Sequence, residues 1–349
     1  MTCKAVEIIN EQASQTEKDD REAINHMLAD SSIQADIELL AEKLLYSCDV
    51  TLNFHPDRFS NNGRLIIENL MTDGEYHNQY KTGTSNGGLN PYMGGNRDKW
   101  ENRLFQGAYH DGVSELADRP KYGGLNNHNY IDGASPRFGS CFFTMKPHVV
   151  KRCTFAYGDS STNPSVMGTA DHFYSILRAI LQSVRDDGKM LGKDGFTIRQ
   201  VVDYIFSMKK GEITALGRDL DNYIETHIHG KVSLLDDVDG FFLDGSFIGT
   251  DIEAAAAKLA ERYCIKLRYI PKRQFPINKI DDEWKGPLAR PLAERINEKF
   301  SGDGMLDAAI IGLASRDSVT NQSDWLDIGT EYDLFQNFKY LWHYVAHFG

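Results

Sequence analysis

Long apolar runs are missing from this chain. No stretch approaches the roughly 18 residues that a membrane-spanning helix needs, so an integral membrane protein is not expected. Cysteine is scarce and unpaired. Five are scattered at Cys3, Cys48, Cys141, Cys153 and Cys264 without a CxxC pair, which excludes a disulfide framework or a zinc knuckle and suits a reducing compartment. Positive charge is also in deficit. Lys and Arg number 38 against 50 Asp and Glu, and the net charge of −12 argues against nonspecific binding to nucleic acid or an anionic membrane. A local basic pocket for a small anion remains compatible with that balance. No GxGxxG stands at a strand–helix junction, so a Rossmann mode of holding a dinucleotide is not supported. The start, Met1-Thr2-Cys3-Lys4, lacks the basic-then-apolar pattern of a Sec signal. The expected place of action is cytosolic, at home or in a target cell after delivery by a dedicated machine.

What is present is the balance of a folded globular protein, with 41% hydrophobic and 25% charged residues in 349. Residues 8–30 read as a solvated helix or a loose arm. Ile33, Ile37, Leu40 and Leu44 recur at helical spacing up to Tyr46. Val50-Thr51-Leu52-Asn53-Phe54 is a strand that runs into His55-Pro56-Asp57-Arg58. Residues 59–137 are rich in Gly and Asn with interleaved aromatics (Tyr76, Tyr80, Tyr92, Trp100, Phe105, Tyr109, Tyr122), and read as ordered loops around a site. Strands are expected at 140–145 and 152–157 around a Lys146-Pro147-His148 turn. Helices follow from near Thr169 and over 197–208, then a strand at Phe241-Phe242-Leu243, a capped helix from Thr250 to Tyr263 and a strand from Cys264 to Ile270. After Pro271 the pattern is wholly helical. The expectation is an α+β fold with a split, mostly antiparallel sheet, divided into an N-terminal helical arm (1–44), a catalytic domain (45–275) and a helical C-terminal segment (276–349), the last either a lid or a bundle that completes the core.

The stretch from Asn222 to Val232 alternates with a period of two. Ile224, Thr226 and Ile228 share one face, and Glu225, His227 and His229 the other. It reads as a half-buried strand whose polar row either lines a cleft or is merely solvated at an edge.

These pieces carry a resemblance. TLNFHPDR, YKTGTSNGGL, RPKYGGLN, SPRFGSC, TFAYGDS and YIETHIHGKVSL resemble a bacterial family of unknown function with FHPDR, TGxSNGG and YIExQxHG motifs, over about residues 45–270. The order of parts also resembles the ADP-ribosyltransferase superfamily: a basic residue ending a first strand, a Ser/Thr motif, an apolar strand pair, and a strand with a catalytic Glu. The resemblance implies a mono-ADP-ribosyltransferase, effector or toxin in type, that uses NAD as substrate and modifies a protein. It implies Glu225 as catalytic residue, His55 or Arg58 as the first-strand contact to NAD, and Gly83, Thr84, Ser85, Asn86 and Gly87 as the nicotinamide loop, with Ser140 the alternative serine. Arginine-modifying members carry Glu or Gln where Tyr223 stands, which leaves the type of target residue open.

The chemistry matches those residue types. Cleaving the nicotinamide–ribose bond passes through an oxocarbenium-like state, and a carboxylate beside it stabilises that state more than the ground state. Arg58 and Arg137 are candidate donors to the pyrophosphate. Tyr122 or Tyr80 would stack on the nicotinamide ring. Against this stands a metal-dependent hydrolase reading, in which His227 and His229 ligate a metal with Glu225 and a distant Asp159 or His55. A catalytically inactive protein that keeps the NAD cleft is the third alternative.

Overall fold

The computed structural model describes residues 3–83, 91–112, 115–160, 164–211, 216–217 and 220–349. The chain opens with α1 (Lys4–Asp30) and α2 (Ile37–Tyr46), the latter capped by Asp36, and then enters β1 (Val50–Phe54). The Gly/Asn-rich region carries α3 (Ile66–Asp73), α4 (Gln79–Thr82) and α5 (Asn96–Leu104). Next come β2 (Lys121–Leu125), β3 (Cys141–Met145), β4 (Cys153–Tyr157) and β5 (Met167–Thr169). Helix α6 (Tyr174–Asp187), the small ribbon β6 (Lys189–Met190) and β7 (Lys193–Asp194), and α7 (Ile198–Ser207) precede β8 (Ile224–Ile228). The remainder is α8 (Leu234–Asp237), β9 (Val238–Asp244), α9 (Asp251–Arg262), β10 (Lys266–Ile270) and β11 (Phe275–Pro276). It ends with α10 (Asp282–Lys285), α11 (Ala289–Ile296), β12 (Met305–Leu306), α12 (Ala308–Thr320) and α13 (Glu331–Phe348).

Among the described residues eight strands form one sheet in the order β10-β9-β3-β1-β2-β8-β4-β5. Every pairing is antiparallel except that of β10 with β9. The α+β expectation therefore holds, and so does the mostly antiparallel sheet flanked by helices at both ends of the chain. Alternation sorts the strands into two faces. Val50, Leu52 and Phe54 of β1, with Ile224 and Ile228 of β8, enter the main core with α2, α6 and α7. The opposite face of β8 lies under a second cluster built from Ala5 and Ile9 of α1, Trp100 and Leu104 of α5, and Phe105 and Tyr109.

Several expectations are corrected. The stretch around Tyr122-Gly123-Gly124 is not loop but a central strand, β2, paired with β1 on one side and β8 on the other. Gly123 is required there because a Cβ would stand 2.1 Å from the Thr51 carbonyl oxygen. Strand β8 is neither half-buried nor an edge: it runs between β2 and β4 and all five residues are buried. The strands at 141–145 and 153–157 are not partners; β3 pairs with β1 and β9, and β4 with β8 and β5. Thr169 belongs to β5, and the helix expected from it starts at Tyr174. After Pro271 the two-residue strands β11 and β12 pair within the helical segment.

The C-terminal helices are packed into the main core through Leu292, Ile296, Ile311, Leu341, Trp342 and Val345. Trp342 donates its indole N–H to the Pro136 carbonyl at 2.7 Å and meets His55 edge-on. Arg58 Nη1 donates to the Ile311 carbonyl at 3.3 Å, and Asp57 lies so close to α12 that a Cβ on Gly312 would meet its Oδ2 at 1.4 Å. The strand-end motif thus docks the C-terminal helices. No described helix is long and apolar enough to cross a membrane.

Candidate active site

A cleft of about 480 Å³ opens where the ends of β1, β2 and β8 meet α3 and α5. That is within the range of small-molecule sites. Glu225 of β8, Tyr122 and Lys121 of β2, His55 and Arg58 after β1, and Arg137 all line it. Residues that the sequence scatters over 170 positions converge because β1, β2 and β8 are neighbours in the sheet.

Glu225 is 4% exposed. Its Oε2 accepts the Ser160 backbone N–H at 2.5 Å, and Oε1 lies 3.6 Å from His227 Nε2. A carboxylate bonded on one oxygen and carried on a central strand is held in a defined direction. His55 sits at the cleft wall with Nδ1 3.4 Å from the Ser140 hydroxyl. Burial, then the charge of Arg58, holds His55 well below the ordinary imidazole range, so the ring is neutral. Burial also lowers Arg58. Arg137 forms ion pairs with Asp221 and, at 3.8 Å, with Asp159, which also faces the cleft. Lys121 donates its Nζ to the Ala117 and Gly230 carbonyls at 2.6 Å each, and burial lowers it to about 7.

Tyr122 stacks on Trp100, with ring centroids 5.3 Å apart, and donates its hydroxyl to Glu101 at 2.9 Å. Together the two rings form an aromatic wall. Tyr80 is not part of it: its hydroxyl accepts from Arg119, whose guanidinium lies over the Tyr80 ring. Gly83 does not line the cleft either. At φ +67° it ends α4 in the left-handed conformation, and a Cβ there would meet Asn61 Cβ at 2.7 Å. Thr84, Ser85, Asn86 and Gly87 lie outside the described residues. Ser140 is buried beside His55 and is not on the cleft surface.

His227 and His229 do not face the cleft. They are 0% and 1% exposed, and the Thr154 hydroxyl lies between them, 3.0 Å from His227 Nδ1 and 2.9 Å from His229 Nε2. The imidazoles therefore converge on a threonine oxygen. Among the described residues no group of three or more His, Cys, Asp or Glu side chains is placed to hold a metal.

One residue escaped the sequence reading. Arg97 of α5 lines the cleft, is 5% exposed, and has no hydrogen-bond partner at Nε or Nη1 among the described residues. Its guanidinium lies 5.0 Å from the Trp100 ring and 5.1 Å from the Tyr122 ring, with Nη1 3.8 Å from Glu101. The signal was available, since Arg97, Trp100, Glu101 and Leu104 recur at i, i+3, i+4 and i+7 immediately after Gly94-Gly95. The abundance of glycine around them disguised a short helix as loop.

No curated protein matches the chain significantly. A family model does, over residues 49–348, and so extends through the C-terminal helices that the motif resemblance left out. Since that match covers most of the sequence, the chain belongs to the family described as Protein of unknown function (DUF3626).

Proposed function

We propose that the cleft binds NAD and transfers its ADP-ribose to a protein acceptor. The observation that carries this reading is the convergence of Glu225, His55, Arg58, Tyr122 and Arg137 on one cleft from separate segments of the chain. In the proposed step the bond between ribose C1′ and the nicotinamide nitrogen breaks, and nicotinamide leaves with the bonding pair. The acceptor nucleophile then attacks C1′. Glu225 stabilises the positive charge that develops on the ribose, an effect that a buried carboxylate delivers more strongly than one in water. The Tyr122–Trp100 wall offers a stacking surface for a flat ring. Arg97, with two donor atoms that make no hydrogen bond among the described residues, joins Arg58 as a candidate for the pyrophosphate. Arg137 is less available, because Asp221 and Asp159 already neutralise it.

Incubation of the purified chain with labelled NAD and a bacterial or host lysate tests the reading. Label is expected on a discrete protein band with wild type and not with Glu225→Gln. Absence of both NAD binding by titration and label transfer by wild type overturns it.

A further inference from the structure

Behind Glu225, on the same face of β8, lies a continuous file of buried polar groups. The Tyr109 hydroxyl makes a short hydrogen bond with His229 Nδ1. His229 Nε2 is 2.9 Å from Thr154 Oγ1, and Thr154 Oγ1 is 3.0 Å from His227 Nδ1. His227 Nε2 has no hydrogen-bond partner among the described residues and stands 3.6 Å from Glu225 Oε1. Phe105 seals the file, its ring meeting both imidazoles edge-on at 5.3 and 5.1 Å. Ala5 and Ile9 of α1 complete the cover.

The proton positions follow from counting. A hydroxyl has one hydrogen to donate and a neutral imidazole has one N–H. Among the described residues, the other hydrogen-bonding group near the Tyr109 oxygen, Cys3 Sγ at 4.0 Å, is a distant and weak acceptor, so the phenol donates to His229 Nδ1. Burial keeps His229 neutral, well below the ordinary imidazole range, which puts its single N–H on Nε2, pointed at Thr154. The threonine hydrogen is then directed to His227 Nδ1. That leaves the His227 hydrogen on Nε2, facing the Glu225 carboxylate. The reverse polarity would set an imidazole lone pair against the lone pairs of Glu225 Oε1 inside the protein, which costs free energy on both groups.

We propose that Tyr109, His229 and Thr154 lock His227 in the Nε2–H tautomer, and that His227 is a positioning residue that keeps Glu225 aimed at the cleft. The role given to His227 in turnover rests on the NAD reading; the tautomer lock does not. Other groups also surround Glu225: the Ser160 N–H bonds its Oε2, the Tyr122 and Tyr223 phenols lie near it, and Lys121, Arg97, Arg137 and Asp159 line the same cleft. The Thr154 hydroxyl bonds His227 and His229, so Thr154→Val and Thr154→Ser test the file directly.

The experiment is nitrogen-15 NMR of the histidine side chains in the full chain, paired with NAD turnover and NAD titration, for wild type, Thr154→Val and Thr154→Ser. Wild type and Thr154→Ser are expected to show His227 as the Nε2–H form, and Thr154→Val a mixture of tautomers. Thr154→Val should lose about tenfold in kcat at unchanged NAD affinity, the rate equivalent of one hydrogen bond, and Thr154→Ser should recover it. His227 protonated on Nδ1 in wild type overturns the proposal, as does a Thr154→Val protein with wild-type kcat and an intact Nε2–H signal. If wild type neither binds nor turns over NAD while the tautomer still responds to Thr154→Val, the transferase reading falls and the lock stands.

Discussion

Glu225, the carboxylate proposed to act on a developing charge, is held in a defined direction by its surroundings. Its Oε2 is tied to the Ser160 N–H, and its strand is fixed on both sides by β2 and β4. Glu225→Gln keeps size and hydrogen bonding but not charge. It is expected to lower NAD turnover by about 100-fold or more with NAD affinity nearly unchanged, a pattern that kcat measured beside the titrated Kd will reveal. Arg97 makes the complementary prediction. Its buried Nε and Nη1 have no hydrogen-bond partner among the described residues, so Arg97→Met should weaken binding of NAD and of ADP by about tenfold or more, and leave nicotinamide binding unaffected. Equal loss for all three ligands, or loss only of thermal stability, would make Arg97 a packing residue between Trp100 and Tyr122. Glu225 was legible because alternation and motif both singled it out. Arg97 was not, because whether a guanidinium is partnered depends on neighbours that only packing supplies.

At the scale of elements, the site depends on β2, the strand that bridges β1 and β8. Its glycines let backbones approach at a point where any side chain is excluded: a Cβ on Gly123 would fall 2.1 Å from the Thr51 carbonyl oxygen and 2.9 Å from Leu52 Cδ2. Gly123→Ala is therefore expected to destabilise the fold by about 3 kcal/mol or more, read as a lowered midpoint in urea. A midpoint within experimental error of wild type would show that β2 shifts freely and does not set the spacing of the cleft. Composition concealed this strand, since Lys-Tyr-Gly-Gly-Leu has weak β-propensity and its pairing with β1 and β8 comes from tertiary context. Helices were easier to read. Thr197 accepts the Gln200 N–H and Thr250 the Glu253 N–H, and both caps are written within four residues of sequence.

Over the whole molecule the C-terminal helices are structural partners of the strand-end motif, and α13 carries a buried titratable group with consequences for pH. His343 is 2% exposed, neither ring nitrogen has a hydrogen-bond partner among the described residues, and burial lowers it to about 2. A folded-state pKa depressed below the unfolded value means that only the unfolded chain takes up the proton as the pH falls below about 6.5. The stability is present above that value and is lost progressively beneath it. His343→Phe should therefore be more stable than wild type at pH 5, relative to the same comparison at pH 8, by about 2 kcal/mol. Denaturation at the two pH values checks this, and an equal difference at both would place the His343 proton on the folded state as well. The amino-acid sequence by itself determined the amphipathic helices with their caps, the apolar strands β1, β3, β4 and β9, and the carboxylate on β8, because each is specified by residues within one or two turns or a single alternation. Tertiary structure alone decided that β2 is a strand, that β8 lies at the centre of the sheet, that Arg97 enters the cleft and that His227 and His229 turn inward onto Thr154. Each of these depends on contacts between residues far apart in the chain, and neither periodicity nor composition encodes which distant backbone will close over a given side chain.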